Sequence, residues 1–130
     1  MMQRVTAFWA WVVVILALCW YPKAMMPDER RTANAMFLPH LDKVIHFGVF
    51  AVFGFLGGWV FRLPGRSRFW PLVLGGLALA VISELGQMTA FVNRDAGLDD
   101  LTADMVGVVV GLWAYAWVAG TVKAPSVETL

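Results

Sequence analysis

The chain has 130 residues, of which 60% are apolar, 14% aromatic and only 15% charged. A soluble domain of that length carries about 25% charged and 45–50% apolar residues, so the composition points to one integral membrane domain over residues 1–130. Ten basic and nine acidic residues leave a formal charge of +1, which excludes the polybasic footprint of a nucleic-acid binder.

In chain order, Arg4 precedes a first apolar run from Val5 to Tyr21, near the minimum length that spans a bilayer. The run ends in bulky Cys19-Trp20-Tyr21-Pro22 with no small-x-small cleavage site, so a retained helix is expected rather than a removed signal. Leu16-Ala17-Leu18-Cys19 falls short of a lipoprotein box because Leu18 is too large before the cysteine. Cys19, the single cysteine, excludes a disulfide framework and a cysteine metal cluster, and is expected as a small buried hydrophobe.

Pro22 to Lys43 forms the first loop, where Pro22, Pro27 and Pro39 argue against one continuous helix. A short amphipathic piece is expected from Asp28 to Phe37, lying along the interface. The second run, Val44 to Phe61, is unbroken except at His46. Its Gly54, Gly57 and Gly58 permit close approach of a neighbouring helix, in this chain or in an oligomer. Arg62 to Arg68 is a basic turn, Phe69 to Phe91 the third run, Val92 to Asp100 a polar link, and Leu101 to Ala119 the fourth run. The expected fold is therefore all-α, a four-helix transmembrane bundle with helices over 5–21, 44–61, 69–91 and 101–119.

Four spans put both termini on one side. Arg4, Arg62, Arg66, Arg68 and Lys123 on that side tie with Lys23, Arg30, Arg31, Lys43 and Arg94 on the other. Three Arg in the seven residues from 62 to 68 break the tie and predict cytoplasmic termini. All the unusual polar groups then fall at the outer ends of their helices: Asp42, Lys43 and His46 at the start of the second, Glu84 and Gln87 at the finish of the third, Asp100 and Asp104 at the start of the fourth. Asp42 with His46 and Asp100 with Asp104 are spaced i, i+4, and Glu84 with Gln87 i, i+3, so each pair shares a helix face. With the third helix running to Phe91, Glu84 would lie roughly 10 Å inward. Such groups are costly in hydrocarbon, about 2.5–3.5 kcal/mol for a central Arg, Lys or Asp.

Lys43-Val-Ile-His46-Phe47, Glu84-Leu-Gly-Gln87, Arg94, and Asp100-Leu-Thr-Ala-Asp104-Met-Val-Gly107 resemble, in order and spacing, the motifs of the VanZ-like membrane proteins, named for a teicoplanin-resistance accessory protein. The resemblance runs from about Leu41 to Gly111. It implies a small multi-pass cell-envelope protein, linked to glycopeptide tolerance in some members. Asp104 departs from the asparagine usual there; an ionised Asp cannot donate a hydrogen bond, so a role needing the amide donor is in doubt.

The residues themselves leave several readings open. The leading one is a polar site for an anionic envelope lipid or lipid-linked precursor, with Lys43, His46 and Arg94 engaging the head group and Glu84, Gln87, Asp100 and Asp104 shaping the cavity. The second is an intramembrane lipid hydrolase or transferase with His46 and Glu84 as an acid/base pair; neither Ser83 nor Cys19 lies in a nucleophile motif. The third is an interaction subunit whose polar cluster only holds helices together. Taken singly, Asp100 is expected to cap the fourth helix, Arg94 serves a lipid phosphate or its neighbouring carboxylates equally well, and Gly107 and Gly111 read as packing. His46, Glu84, Asp100 and Asp104 have metal-ligating chemistry, but no histidine pair stands at ligand spacing. No metal and no cofactor are expected.

Overall fold

The computed structural model describes residues 2–22, 25, 41–62, 66–92 and 97–122. They form four α-helices with no strand among the described residues: α1, Met2–Cys19; α2, Leu41–Phe61; α3, Arg66–Gln87; and α4, Leu98–Val122. Each contains a stretch long and apolar enough to cross a bilayer: Met2–Cys19, Lys43–Phe61, Phe69–Gln87 and Leu98–Gly120. Large apolar side chains such as Trp9, Val13, Trp70, Leu74, Trp113 and Trp117 stand exposed on the outside of the bundle. A surface of that kind belongs against lipid. The all-α transmembrane bundle expected from the sequence is the fold observed, and the chain is a multi-pass membrane protein. The amphipathic piece expected from Asp28 to Phe37 lies outside the described residues.

The helix ends differ from the apolar runs, for local reasons. α3 stops at Gln87 rather than Phe91, because Thr89 folds back and both its N–H (3.2 Å) and its hydroxyl (2.7 Å) donate to the Gly86 carbonyl. α4 starts at Leu98 rather than Leu101. The Gly97 carbonyl accepts from the N–H groups of Asp100 and Leu101, both at 3.1 Å, which is the job of a residue at the cap position. Asp100 therefore does not cap α4, as its sequence position suggested. With Asp99 it occupies the first turn, where a negative charge still meets the positive end of the helix dipole. α2 ends at Arg62 in the left-handed conformation (φ 52°), the usual closing position of a helix, here held by a residue other than glycine.

The helices pass alternately through the bundle, so the finish of α1, the start of α2, the finish of α3 and the start of α4 share one end. Two indoles pin α1 to its neighbours. Trp11 Nε1–H donates to the Val49 carbonyl at 2.9 Å, and Trp20 Nε1–H donates to the Ser83 carbonyl at 3.2 Å. At the other end the Arg4 guanidinium lies 4.8 Å from the Trp59 ring centre. Between the ends, Phe8, Ile15, Phe50, Phe53, Leu72, Leu79, Val108 and Leu112 form the packed core, with Cys19 buried at its edge.

The closest pairing is between α2 and α4, which run parallel. A Cβ at Gly107 would collide with the Phe47 carbonyl, one at Gly111 with the Ala51 carbonyl, and one at Gly54 with the Val108 carbonyl. One turn further, a Cβ at Gly58 would come within 2.6 Å of the Tyr115 ring. In lipid no hydrophobic driving force joins two apolar helices, so association rests on backbone approach of this kind and on interhelical hydrogen bonds. The glycine-rich faces expected to allow contact with a neighbour are therefore filled within the chain; space around Gly48, Gly75 and Gly120 is open.

Gly111→Val places side-chain atoms where the Ala51 carbonyl stands. Its unfolding temperature in detergent should fall well below that of the parent, for a cost at or above the upper end of the roughly 1–3 kcal/mol typical of overpacking. Gly75→Ala, which meets nothing within 4 Å, should melt no earlier than the parent in the same detergent.

Candidate functional site

Where α2 and α4 run side by side, residues one turn apart on each meet in two layers. Lys43 and His46 are three apart on α2, and Asp100 and Asp104 four apart on α4, so each pair lies along one face. In the outer layer Lys43 Nζ donates to Asp100 Oδ1 at 3.2 Å and to Asp99 Oδ2 at 3.3 Å. Asp99 is largely in the open, whereas Asp100 is buried.

The inner layer is closed off. His46 and Asp104 approach to 2.9 Å between Nδ1 and Oδ1, and both are at least 98% buried. A carboxylate only accepts, so Nδ1–H donates to Asp104. That fixes the ring and turns its Nε2 toward α3, where the Gln87 amide nitrogen stands 3.4 Å away, a long contact. Gln87 is fully buried and its Oε1 has no partner among the described residues.

Glu84, one turn back from Gln87, completes the cluster from α3. Because α3 ends at Gln87, Glu84 lies three residues, or about 4.5 Å, from the helix end rather than the 10 Å expected with an end at Phe91. The Gly97 N–H, just before α4, donates to its Oε2 at 3.0 Å, while Oε1 has no partner among the described residues. One donor atom from each of His46, Glu84 and Asp104 lies within 4.8 Å of the other two.

Glu84 also faces outward. Between α3 and α4 a groove of about 260 Å³ is lined by Val81, Glu84, Leu85, Gly97, Leu98 and Leu101. Val81, Leu85 and Leu98 are well exposed, so the groove opens sideways toward the bilayer rather than along the bundle axis. Apart from Glu84 and the backbone of Gly97, its wall is hydrocarbon.

Of the seven candidate residues, six converge at one end of the bundle: Lys43, His46, Glu84, Gln87, Asp100 and Asp104. Arg94, and the side chain of Asp42, lie outside the described residues. The nearest partner of His46 is Asp104 rather than Glu84. Ser83 donates to the Ala80 carbonyl at 2.8 Å, a bond within its own helix. Two participants were not legible in the sequence. Asp99 shares Lys43 with Asp100, and the Gly97 N–H holds Glu84; only the neighbouring acids hinted at the first, and a backbone donor in a link leaves no side-chain signal.

A buried pair on two helices should behave as a unit. Single His46→Ala and Asp104→Ala substitutions are each expected to cost about 1–3 kcal/mol of stability in detergent, by leaving a buried polar group short of a partner. The double substitution should cost less than their sum by at least about 0.5 kcal/mol, measured as a double-mutant cycle of unfolding free energies. Lys43→Ala should cost less than either of these single substitutions, because Lys43 and Asp99 are open to solvent and only Asp100 loses an ammonium at a buried place.

A family model described as VanZ/LLP1 matches residues 8–119, from the first turns of α1 almost to the end of α4. No curated protein and no solved structure matches the chain. The match takes in all four helices and the whole polar cluster, and the chain belongs to the VanZ/LLP1 family.

Proposed function

From that membership as premise, we propose that the protein holds an anionic envelope lipid, or a lipid-linked cell-wall precursor, at the outer-leaflet end of its bundle in the bacterial cytoplasmic membrane. The observation that carries this reading is the double position of Glu84, which belongs both to the buried polar cluster and to the wall of the hydrocarbon groove. A lipid needs that junction: one surface for a chain and, beside it, polar groups for the head.

In this reading an acyl or isoprenoid chain lies against Val81, Leu85, Leu98 and Leu101. The head group meets Lys43, whose ammonium exchanges its exposed partner Asp99 for a phosphate oxygen while keeping Asp100. Arg94, in the link between α3 and α4, supplies a second cation with a planar fork suited to phosphate. His46 and Gln87 offer N–H donors further in, and Asp100 and Asp104 keep Lys43 and His46 in position. The outward orientation, with both termini cytoplasmic, is supported by Arg62, Arg66 and Arg68, which fall close together at the opposite end where α2 finishes and α3 begins.

Native mass spectrometry of the detergent-purified chain tests the reading. A polyisoprenyl phosphate or phosphatidylglycerol should be retained in preference to phosphatidylcholine. Leu101→Trp, which fills the groove, should reduce retention of every lipid, whereas Lys43→Ala should reduce the preference for anionic ones. Equal retention of all three lipids, unaltered by either substitution, would overturn the proposal.

The bond from His46 Nδ1 to Asp104 favours a second reading, in which the oriented ring and Glu84 serve as an acid/base pair for hydrolysis or transfer on a lipid. Turnover of labelled lipid by the purified protein, lost in Glu84→Gln, separates it from binding alone. Absence of turnover across a broad lipid panel sinks it.

A further inference from the structure

The groove between α3 and α4 has one polar side chain in its wall, and that side chain is only half satisfied. Glu84 is 91% buried; its Oε2 accepts from the Gly97 N–H at 3.0 Å, while Oε1 has no hydrogen-bond partner among the described residues. Gln87, one turn nearer the end of α3, is fully buried and also keeps Oε1 without a donor among the described residues. The two side chains share a helix face, and both unpartnered atoms are acceptors. A buried acceptor without a donor bears its full desolvation cost.

The side-chain hydroxyls of this end are turned elsewhere. Ser83 donates to the Ala80 carbonyl at 2.8 Å, Thr89 to the Gly86 carbonyl at 2.7 Å and Thr102 to the Leu98 carbonyl at 2.7 Å. Lys43 is engaged with Asp99 and Asp100. None of these donors serves Glu84, and the groove is the open side from which another would arrive.

Resting on the reading that this groove takes an anionic lipid, we infer that the lipid's head group is hydroxylated, a polyol or sugar joined to the phosphate, and that one of its hydroxyls donates to Glu84 Oε1. An ionised phosphate has acceptor oxygens only, so a bare one can engage Lys43 but sets like charge against Glu84. A hydroxyl beyond the phosphate interposes a donor between the two anions, and an O–H donated to a carboxylate makes a short, strong bond. The distances suit one head group. A Glu84 carboxylate oxygen lies within 4.8 Å of a His46 ring nitrogen, and His46 stands three residues, about 4.5 Å of helix, from Lys43. A second hydroxyl on the same polyol would serve Gln87 Oε1. An ammonium head group fits less well: it carries three donors on one nitrogen, whereas Glu84 and Gln87 offer two unpartnered acceptors.

Native mass spectrometry of the detergent-purified full chain with dioleoyl lipids tests the inference. Phosphatidylglycerol and phosphatidylmethanol carry the same single negative charge and differ in the hydroxyls of the head group. The parent protein should retain phosphatidylglycerol at least about fivefold better, the worth of a hydrogen bond to a charged group. Glu84→Met keeps side-chain length and removes both oxygens. Its change of charge acts on both lipids alike, so their ratio should fall to about one. Equal retention of the two lipids by the parent, both above phosphatidylcholine, would overturn the hydroxyl assignment and leave anionic-lipid binding standing. Retention of neither above phosphatidylcholine would overturn both. Phosphatidylethanolamine held as well as phosphatidylglycerol would overturn the choice of a hydroxyl over an ammonium. A folded Glu84→Met variant with the parent's ratio would remove Glu84 as the acceptor; where that variant does not fold, the parent's ratio decides alone.

Discussion

The close parallel contact between α2 and α4 is the constraint on which the rest of the structure depends. Gly54, Gly107 and Gly111 let two backbones touch at a separation that any side chain would forbid, and they do so at fixed positions along both helices. Helix pairs in lipid have little besides packing and polar contacts to set their register. Here both agree. With Gly107 against the Phe47 carbonyl and Gly111 against that of Ala51, Lys43 arrives opposite Asp99 and Asp100, and His46 opposite Asp104. A slip of one turn would separate every one of these pairs and drive a side chain into a carbonyl.

The third helix stands in a different relation to this pair. Its bonds to the others at the polar end run through Glu84 to the Gly97 N–H, through Gln87 to His46, and through the Ser83 carbonyl to Trp20 of the segment after α1. Trp20 also lies where a Cβ on Gly86 would stand, so α1 presses on α3 at its last turn. On the far side α3 and α4 part to form the groove beside Glu84. The polar end of the bundle is thus held firmly along one seam and left open along another, the arrangement that gives a side chain access to both interior and bilayer.

Much of this was legible in the residues. Four apolar runs gave four spans, and alternation of passes placed Lys43, His46, Glu84, Gln87, Asp100 and Asp104 at one end. Helical periodicity then grouped His46 with its own face and Asp100 with Asp104. What periodicity does not carry is the rotation of one helix against another, so the partner of His46 was open until the glycine seam fixed it as Asp104. The ends of α3 and α4 were misplaced because hydropathy marks where a chain enters lipid, whereas helix ends follow local hydrogen bonds. Phe91 is apolar yet lies beyond the turn made by Thr89, and Asp99 and Asp100 are polar yet lie within the first turn of α4. The depth of Glu84 shifted for the same reason.

The choice of side chains in the inner layer bears on what the cluster is for. Joining three helices asks only for neutral groups that satisfy one another, and a histidine with amides would do it at lower desolvation cost than carboxylates. Glu84 and Asp104 instead bring two acids to one ring, and Glu84 spends only one oxygen on the Gly97 N–H. The seam of glycines explains how these groups are held together. Their charge is the part that packing alone does not explain, because burying it carries a desolvation cost that amides would spare.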